Sequence, residues 1–267
     1  MSPLEEKGFC GNQIEGWIQK IRTDYKSCFD LADEVNKFCH STMFRFSVTS
    51  DNGQAVLAAN LYIRCISSYQ GVIILSERGM VPQARALARV LLEALFPLAA
   101  ICADDGSVQV QIYIQQDWIR RKKGIKRIID SGRVPNGTSK EELQKTFDSI
   151  TSHISQNNIR EIKVKEWAQT AGLIDHYNSS YQDLNDSVHT NVADLQRHND
   201  ANDVGEIVIL NWGPDPEEIE ATFMHSIDAI LLAYECSTTL FGHRDANLLA
   251  SYRKRLEDLT ATLSVGA

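Results

Sequence analysis

Residues 81–103 read VPQARALARVLLEALFPLAAICA, and the reading of this stretch decides the fold. Leu87, Val90, Leu91, Leu92, Leu95, Phe96, Leu98 and Ile101 do not keep to one stripe, while Ala84, Ala86, Ala88 and Ala94 allow close approach. A helix that is apolar nearly all the way round is predicted to be central and buried. Arg85, Arg89 and Glu93 are cut into it at four-residue steps, so they share one side. Charges in such a place must be paired or wetted by a cavity.

Helical patterns continue in both directions. Towards the N-terminus, Ile14, Trp17, Ile18, Ile21, Tyr25, Cys28, Leu31, Val35 and Phe38 recur at helical spacing, which predicts one long amphipathic helix within 12–46. A second is predicted over 54–78, with Gly79 as its stop and Pro82 in the first turn of the next, making an antiparallel hairpin with the central helix. Beyond it, a helix is expected over 107–133. Ser139 with Glu142 matches a capping box opening another to about 154, and a short one follows over 164–171. Residues 175–195 give a further helix. Ile207 to Leu210 reads as a strand or a buried connector. Asp215 as cap with Pro216, Glu217 and Glu218 in the first turn predicts a helix to Phe241, and a last one covers 245–263. The expected fold is all-α: a single helical bundle of about seven to nine helices filling one domain, 1–267. Its core is 12–133 and 175–263, with a polar helical insertion over 134–172.

Composition narrows the function classes. The 267 residues carry a formal net charge of −8, with 43% hydrophobic and 23% charged residues, an ordinary globular mix that argues against wholesale coating of nucleic acid. The polar, acidic start lacks a signal-peptide pattern, and no stretch reaches the ~20 uninterrupted apolar residues of a membrane span. The six cysteines lack close pairs and read as reduced core thiols, so a cytoplasmic protein without a membrane partner is expected. The glycine-rich nucleotide motifs, G-x-S-x-G and H-E-x-x-H are absent. His225 and Asp228 stand at i, i+3, but two ligands are short of a metal site, and they read as a solvated or core-edge pair. No metal and no cofactor are expected.

Three constellations remain. The Arg85, Arg89, Glu93 row is either a structural ion-pair network or an arginine fork for phosphate or carboxylate. Tyr177, Tyr181, Asn185 and His189 form a second polar row on the helix from Asp175. His189 is a core-edge histidine or, if the rows face each other, an acid–base group. Arg120, Arg121, Lys122, Lys123, Lys126 and Arg127 are a basic run: either a solvated helix face or a phosphate contact, without interleaved aromatics for base stacking.

Arg64, Arg78, Gly79, the stretch from Arg85 to Arg89, and Glu93 together resemble a bacterial domain-of-unknown-function family, number fifty-six seventy-seven. Tyr181, Leu184, Asn185 and His189 match a later segment, and the likeness covers roughly 55–240. Such proteins look all-helical and are similar, by analogy, to the HEPN group of helical RNases and phage-defence or toxin proteins. The resemblance implies metal-independent RNA cleavage by an arginine and a histidine with four to six residues between them. Here the corresponding positions before His189 are Gln182, Asp183 and Leu184, so Arg85 or Arg89 would have to stand in from another helix. Two functions follow as expectations. One is an RNase-like enzyme with His189, Arg89 and Glu93 catalytic and Arg85, Tyr181 and Asn185 binding the ligand. The other is a non-enzymatic helical module that binds a small anionic ligand or a partner protein. The partners considered are RNA, a small anion, and a second copy of the chain in a homodimer.

Overall fold

The computed structural model describes residues 6–103, 106–185, 195–196 and 198–266; side chains after Thr262 are outside the description. The protein is mostly helical. After a 3₁₀ turn (Gly8–Cys10) come α1 (Ile14–Asp24), α2 (Lys26–Met43), α3 (Gly53–Ser76), α4 (Val81–Cys102) and α5 (Gly106–Ser131). Next are α6 (Lys140–Gln156), α7 (Val164–Thr170) and α8 (Ile174–His176), which runs on into a π-turn (Tyr177–Tyr181). Strands β1 (Asn199–Ala201) and β2 (Ile207–Leu210) precede α9 (Ile219–Phe241) and α10 (Ala246–Gly266).

The central helix is α4. It packs against α3, α7 and α9, and Leu91, Leu95, Phe96, Leu98 and Ile101 are fully enclosed. Gly71 of α3 lets the two backbones close up: a Cβ there would lie 2.5 Å from Leu87. Pro97 sits inside α4 and lacks the N–H that would bond the Glu93 carbonyl.

The long N-terminal helix is broken in two at Tyr25, whose φ of −110° and ψ of 33° are not helical. Ile14, Ile18 and Ile21 are buried, whereas Trp17, expected on the same stripe, is 38% exposed. The Ser139–Glu142 capping box forms with both hydrogen bonds in place. Within 134–172, α6 lies along α5, while Trp167 and Ala168 of α7 join the main core.

In the C-terminal half one open reading is decided and one expectation is corrected. Ile207 to Leu210 is not a buried connector. It is a strand, paired antiparallel with β1, and every one of its residues is more than half exposed. The expected first turn of α9 at Pro216 is a turn outside the helix: Asp215 Oδ1 accepts from the Glu217 N–H at 2.9 Å, Glu218 adopts φ 63°, and the helix starts at Ile219. The chain ahead of α9 is tied to the start of α4, because Gly79 O accepts from Asp215 N–H at 3.0 Å. No helix among the described residues is long and apolar enough to cross a membrane.

Candidate functional site

The polar row on α4 meets the chain segment 174–185. Arg85 is 3% exposed, and its Nη2 donates to the Asp183 carbonyl at 2.9 Å and to Asp183 Oδ2 at 3.1 Å. Its Nη1 stands 3.5 Å from Glu218 Oε1, which the left-handed turn ahead of α9 carries to it. One turn on, Arg89 Nη2 donates to Tyr181 Oη at 2.6 Å and lies 3.1 Å from Glu93 Oε1. The Tyr181 hydroxyl donates to the same Glu93 oxygen at 2.9 Å. Burial and this bond to a carboxylate push the Tyr181 phenol up to about 12. Tyr177 stacks on Tyr181 with centroids 5.0 Å apart, and Phe96 of α4 closes the cluster.

Behind that row, α9 supplies a histidine. His225 Nδ1 is 3.0 Å from Ser180 Oγ, and its Nε2 is 2.9 Å from Asp183 Oδ2. Asp183 thus accepts from both Arg85 and His225. Burial lowers the His225 pKa, against the pull of Asp183. One helical turn further, Asp228 Oδ2 lies 3.1 Å from His176 Nε2, and that hydrogen bond raises the His176 pKa against its partial burial. Arg253 of α10 reaches Asp228 at 3.4 Å and Glu235 at 2.9 Å. A groove of about 550 Å³ between α9 and α10 runs past Ser180, His225 and Asp228.

Of the residues expected from sequence, Arg85, Arg89, Glu93 and Tyr181 come together. Asn185 is half-buried; its amide bonds to the Gln182 carbonyl, and its side chain makes no hydrogen bond among the described residues. His189 lies outside the described residues. The arginine donors are mostly spent on the protein's own acceptors, though Arg89 Nε is buried with no hydrogen-bond partner among the described residues. Sequence reasoning did not single out Ser180, Asp183 and His176 for the site, and weighed His225 only with Asp228, as a pair short of a metal site. Spacing hinted at pairs, since His176, Ser180 and Asp183 lie one helical turn apart in succession and His225 and Asp228 another turn. Nothing in the sequence joins the two sets. Among the described residues no three metal-ligating side chains converge. The basic run on α5 is solvated and partly neutralised: Asp117 pairs with Arg120 and Arg121, Glu161 with Lys123, and Lys122 lies over Phe147.

No curated protein and no solved structure matches the chain. A family model does, over residues 55–207, which takes in nearly all of α3, α4, the segment 174–185 and β1, and stops at the first residue of β2, well short of His225. With more than half of its length inside that match, the chain belongs to the family of unknown function DUF5677.

Proposed function

We propose that the groove between α9 and α10, where segment 174–185 brings Ser180 to His225, is a metal-independent site that cleaves RNA phosphodiesters. RNA brings its own nucleophile, the 2′-hydroxyl. Transesterification therefore needs a base for that hydroxyl, an acid for the departing 5′-oxygen, and positive charge near the phosphate. One observation carries the reading: two histidines that both feel Asp228 are driven in opposite directions, His225 down by burial and His176 up by its hydrogen bond to Asp228. Environments that separate like groups assign base and acid. His225 gives its Nε2–H to Asp183, which leaves the Nδ1 lone pair for a hydroxyl. Ser180 Oγ holds that position and marks where the ribose hydroxyl would lose its proton. Protonated His176 would serve the leaving oxygen. Arg85 and Arg89 hold Asp183 and Tyr181 in place, so the positive charge beside the phosphate would come from protonated His176.

The HEPN likeness belongs to the same proposal. No histidine here has an arginine at the family's spacing, but Arg85 arrives from α4 close enough to His225 to lower its pKa. His189 enters as the competing base.

The test is cleavage of end-labelled RNA in the presence of EDTA. Products ending in a 2′,3′-cyclic phosphate are expected, and His225→Gln and His176→Gln should each slow cleavage by at least about 100-fold. The pH profile should be bell-shaped. His225, facing Asp183, Arg85 and Asp228, must be neutral, so the rate falls below its lowered pKa; His176, facing Asp228, Asp175 and Arg253, must be protonated, so it falls above its raised one. RNA left intact at every pH, or cleavage that survives H225Q but not H189Q, would refute the assignment.

A second reading has its own observation: Arg85 and Arg89 are closed on the chain's own carboxylates, as a structural clamp would be. The protein is then a non-enzymatic helical module for a small anion or a partner protein. In that case the histidine variants change stability alone.

A further inference from the structure

We propose that Ser180 is itself a nucleophile, and that Ser180, His225 and Asp183 form a serine-hydrolase relay acting on esters of apolar acids. A serine hydroxyl is a weak nucleophile until a base takes its proton and a third group fixes that base. Both contacts are present: Ser180 Oγ to His225 Nδ1 at 3.0 Å, and His225 Nε2 to Asp183 Oδ2 at 2.9 Å. The ring nitrogens are exchanged relative to the serine-protease arrangement, but the relay requires only that base and orienting group sit on opposite nitrogens. With Asp183 accepting the Nε2 proton, the neutral ring has its lone pair on Nδ1, facing the serine. Asp183 is a positioning residue, and Arg85 fixes it in turn through two hydrogen bonds.

The substrate class follows from the groove. Ser180 and His225 open onto the 550 Å³ space whose walls include Met224, Leu256 and Ala261. An apolar wall beside the hydroxyl suits an aliphatic or aryl acyl group. In the first step Ser180 Oγ bonds to the carbonyl carbon and its proton passes to His225 Nδ1. The ester C–O bond then breaks, and the leaving alcohol takes that proton. Water next attacks the acyl-serine, giving its proton to His225, and the acid is released with Ser180 re-protonated. No oxidant, reductant or metal is needed.

This inference rests on His225 acting as a base, as in the RNA reading, but not on RNA as the substrate. The experiment uses the full chain, an alkyl fluorophosphonate, and p-nitrophenyl butanoate. Attack on the fluorophosphonate forms a P–O bond and breaks P–F. The expected result is one adduct, located on Ser180 by peptide mass spectrometry, with ester hydrolysis lost in parallel. Ser180→Ala should abolish the adduct, and H225Q should slow labelling by at least about 100-fold while remaining folded by circular dichroism. Asp183→Asn should move the pH midpoint of labelling downward, because Asp183 raises the His225 pKa while Arg85 lowers it and Asp228 raises it. An unchanged midpoint would take Asp183 out of the relay. An unlabelled Ser180, an adduct elsewhere, or labelling at the wild-type rate in H225Q overturns the inference. RNA cleavage without a Ser180 adduct removes this inference and leaves the RNA reading. An adduct without RNA cleavage does the reverse, and failure of both removes His225 as a base.

Discussion

Arg85 shows how unequal the two ends of one ion pair can be. The guanidinium is 3% exposed, whereas Asp183 and Glu218 are 52% and 37% exposed. Asp183→Ala removes the carboxylate from the buried cation but leaves it the residue-183 main-chain carbonyl at 2.9 Å and Glu218 at 3.5 Å, so the change should cost about 2 kcal/mol in urea unfolding. Glu218→Ala removes the longer, wetter contact and should cost no more than about 1 kcal/mol. The two histidines should also mark the stability curve with opposite signs. The His176 folded pKa lies above its unfolded value near 6.5, so its contribution is full below that value and fades as pH rises through the folded one. Wild type should therefore exceed H176Q in stability by more at pH 5 than at pH 8. The His225 folded pKa lies below 6.5, so the unfolded chain binds the proton first and stability is lost on acidification. H225Q should remove that acid-side loss, and denaturant midpoints from pH 5 to 8 measure both.

At the scale of elements, what depends on local chemistry is what the sequence made legible. The Ser139–Glu142 box, the Gly79 stop and the end of α9 at Phe241 are properties of a few neighbouring residues, and the structure has them where the pattern puts them. The π-turn at 177–181 and the late start of α9 come with contacts to residues far away in the chain. Periodicity cannot see that Glu218 is held at a positive φ beside Arg85. Gly79 joins both kinds of information. Its φ of 70° already favours glycine, and a Cβ there would lie 2.7 Å from Pro214 and 2.9 Å from the Asp215 nitrogen. Gly79→Ala should lower stability by about 2 kcal/mol or more, since the left-handed backbone alone costs roughly 1–2 kcal/mol. A thermal midpoint within 1 °C of wild type would contradict this strain.

For the whole molecule, a buried arginine row was enough to find the polar cluster on α4, because a helix with no wet face must bury its charges against something. It was not enough to name that something. Tyr181 was readable as a four-residue neighbour on the facing segment, but His225 comes from a helix more than forty residues away, and no spacing rule links it to Ser180 or Asp183. The cysteines give a global readout. All six are free thiols; Cys10 is exposed, and Cys28, Cys39, Cys65 and Cys102 are buried, with burial raising the buried thiols above the ordinary range. A thiol reagent should react rapidly with Cys10 in the native protein. The four buried thiols should react only at the rate of global opening, and fast native reaction of Cys39 or Cys65 would show the core to be looser than described.

The tie between Gly79 and Asp215 gives this core a further meaning. It anchors the starts of α4 and α9 to each other, so Arg85 and His225 stand on one rigid floor. Ser180, Tyr181 and Asp183 belong to segment 174–185, which docks on that floor through Leu184, the tyrosine stack and the polar contacts of the site itself. The site is thus a latch as well as a cleft. Any ligand that draws Arg85 or His225 to itself competes with the bonds that keep the segment docked. Amide hydrogen exchange along 177–185 should then accelerate on ligand binding while α4 and α9 stay protected, the reverse of the slowing that occupied sites ordinarily produce.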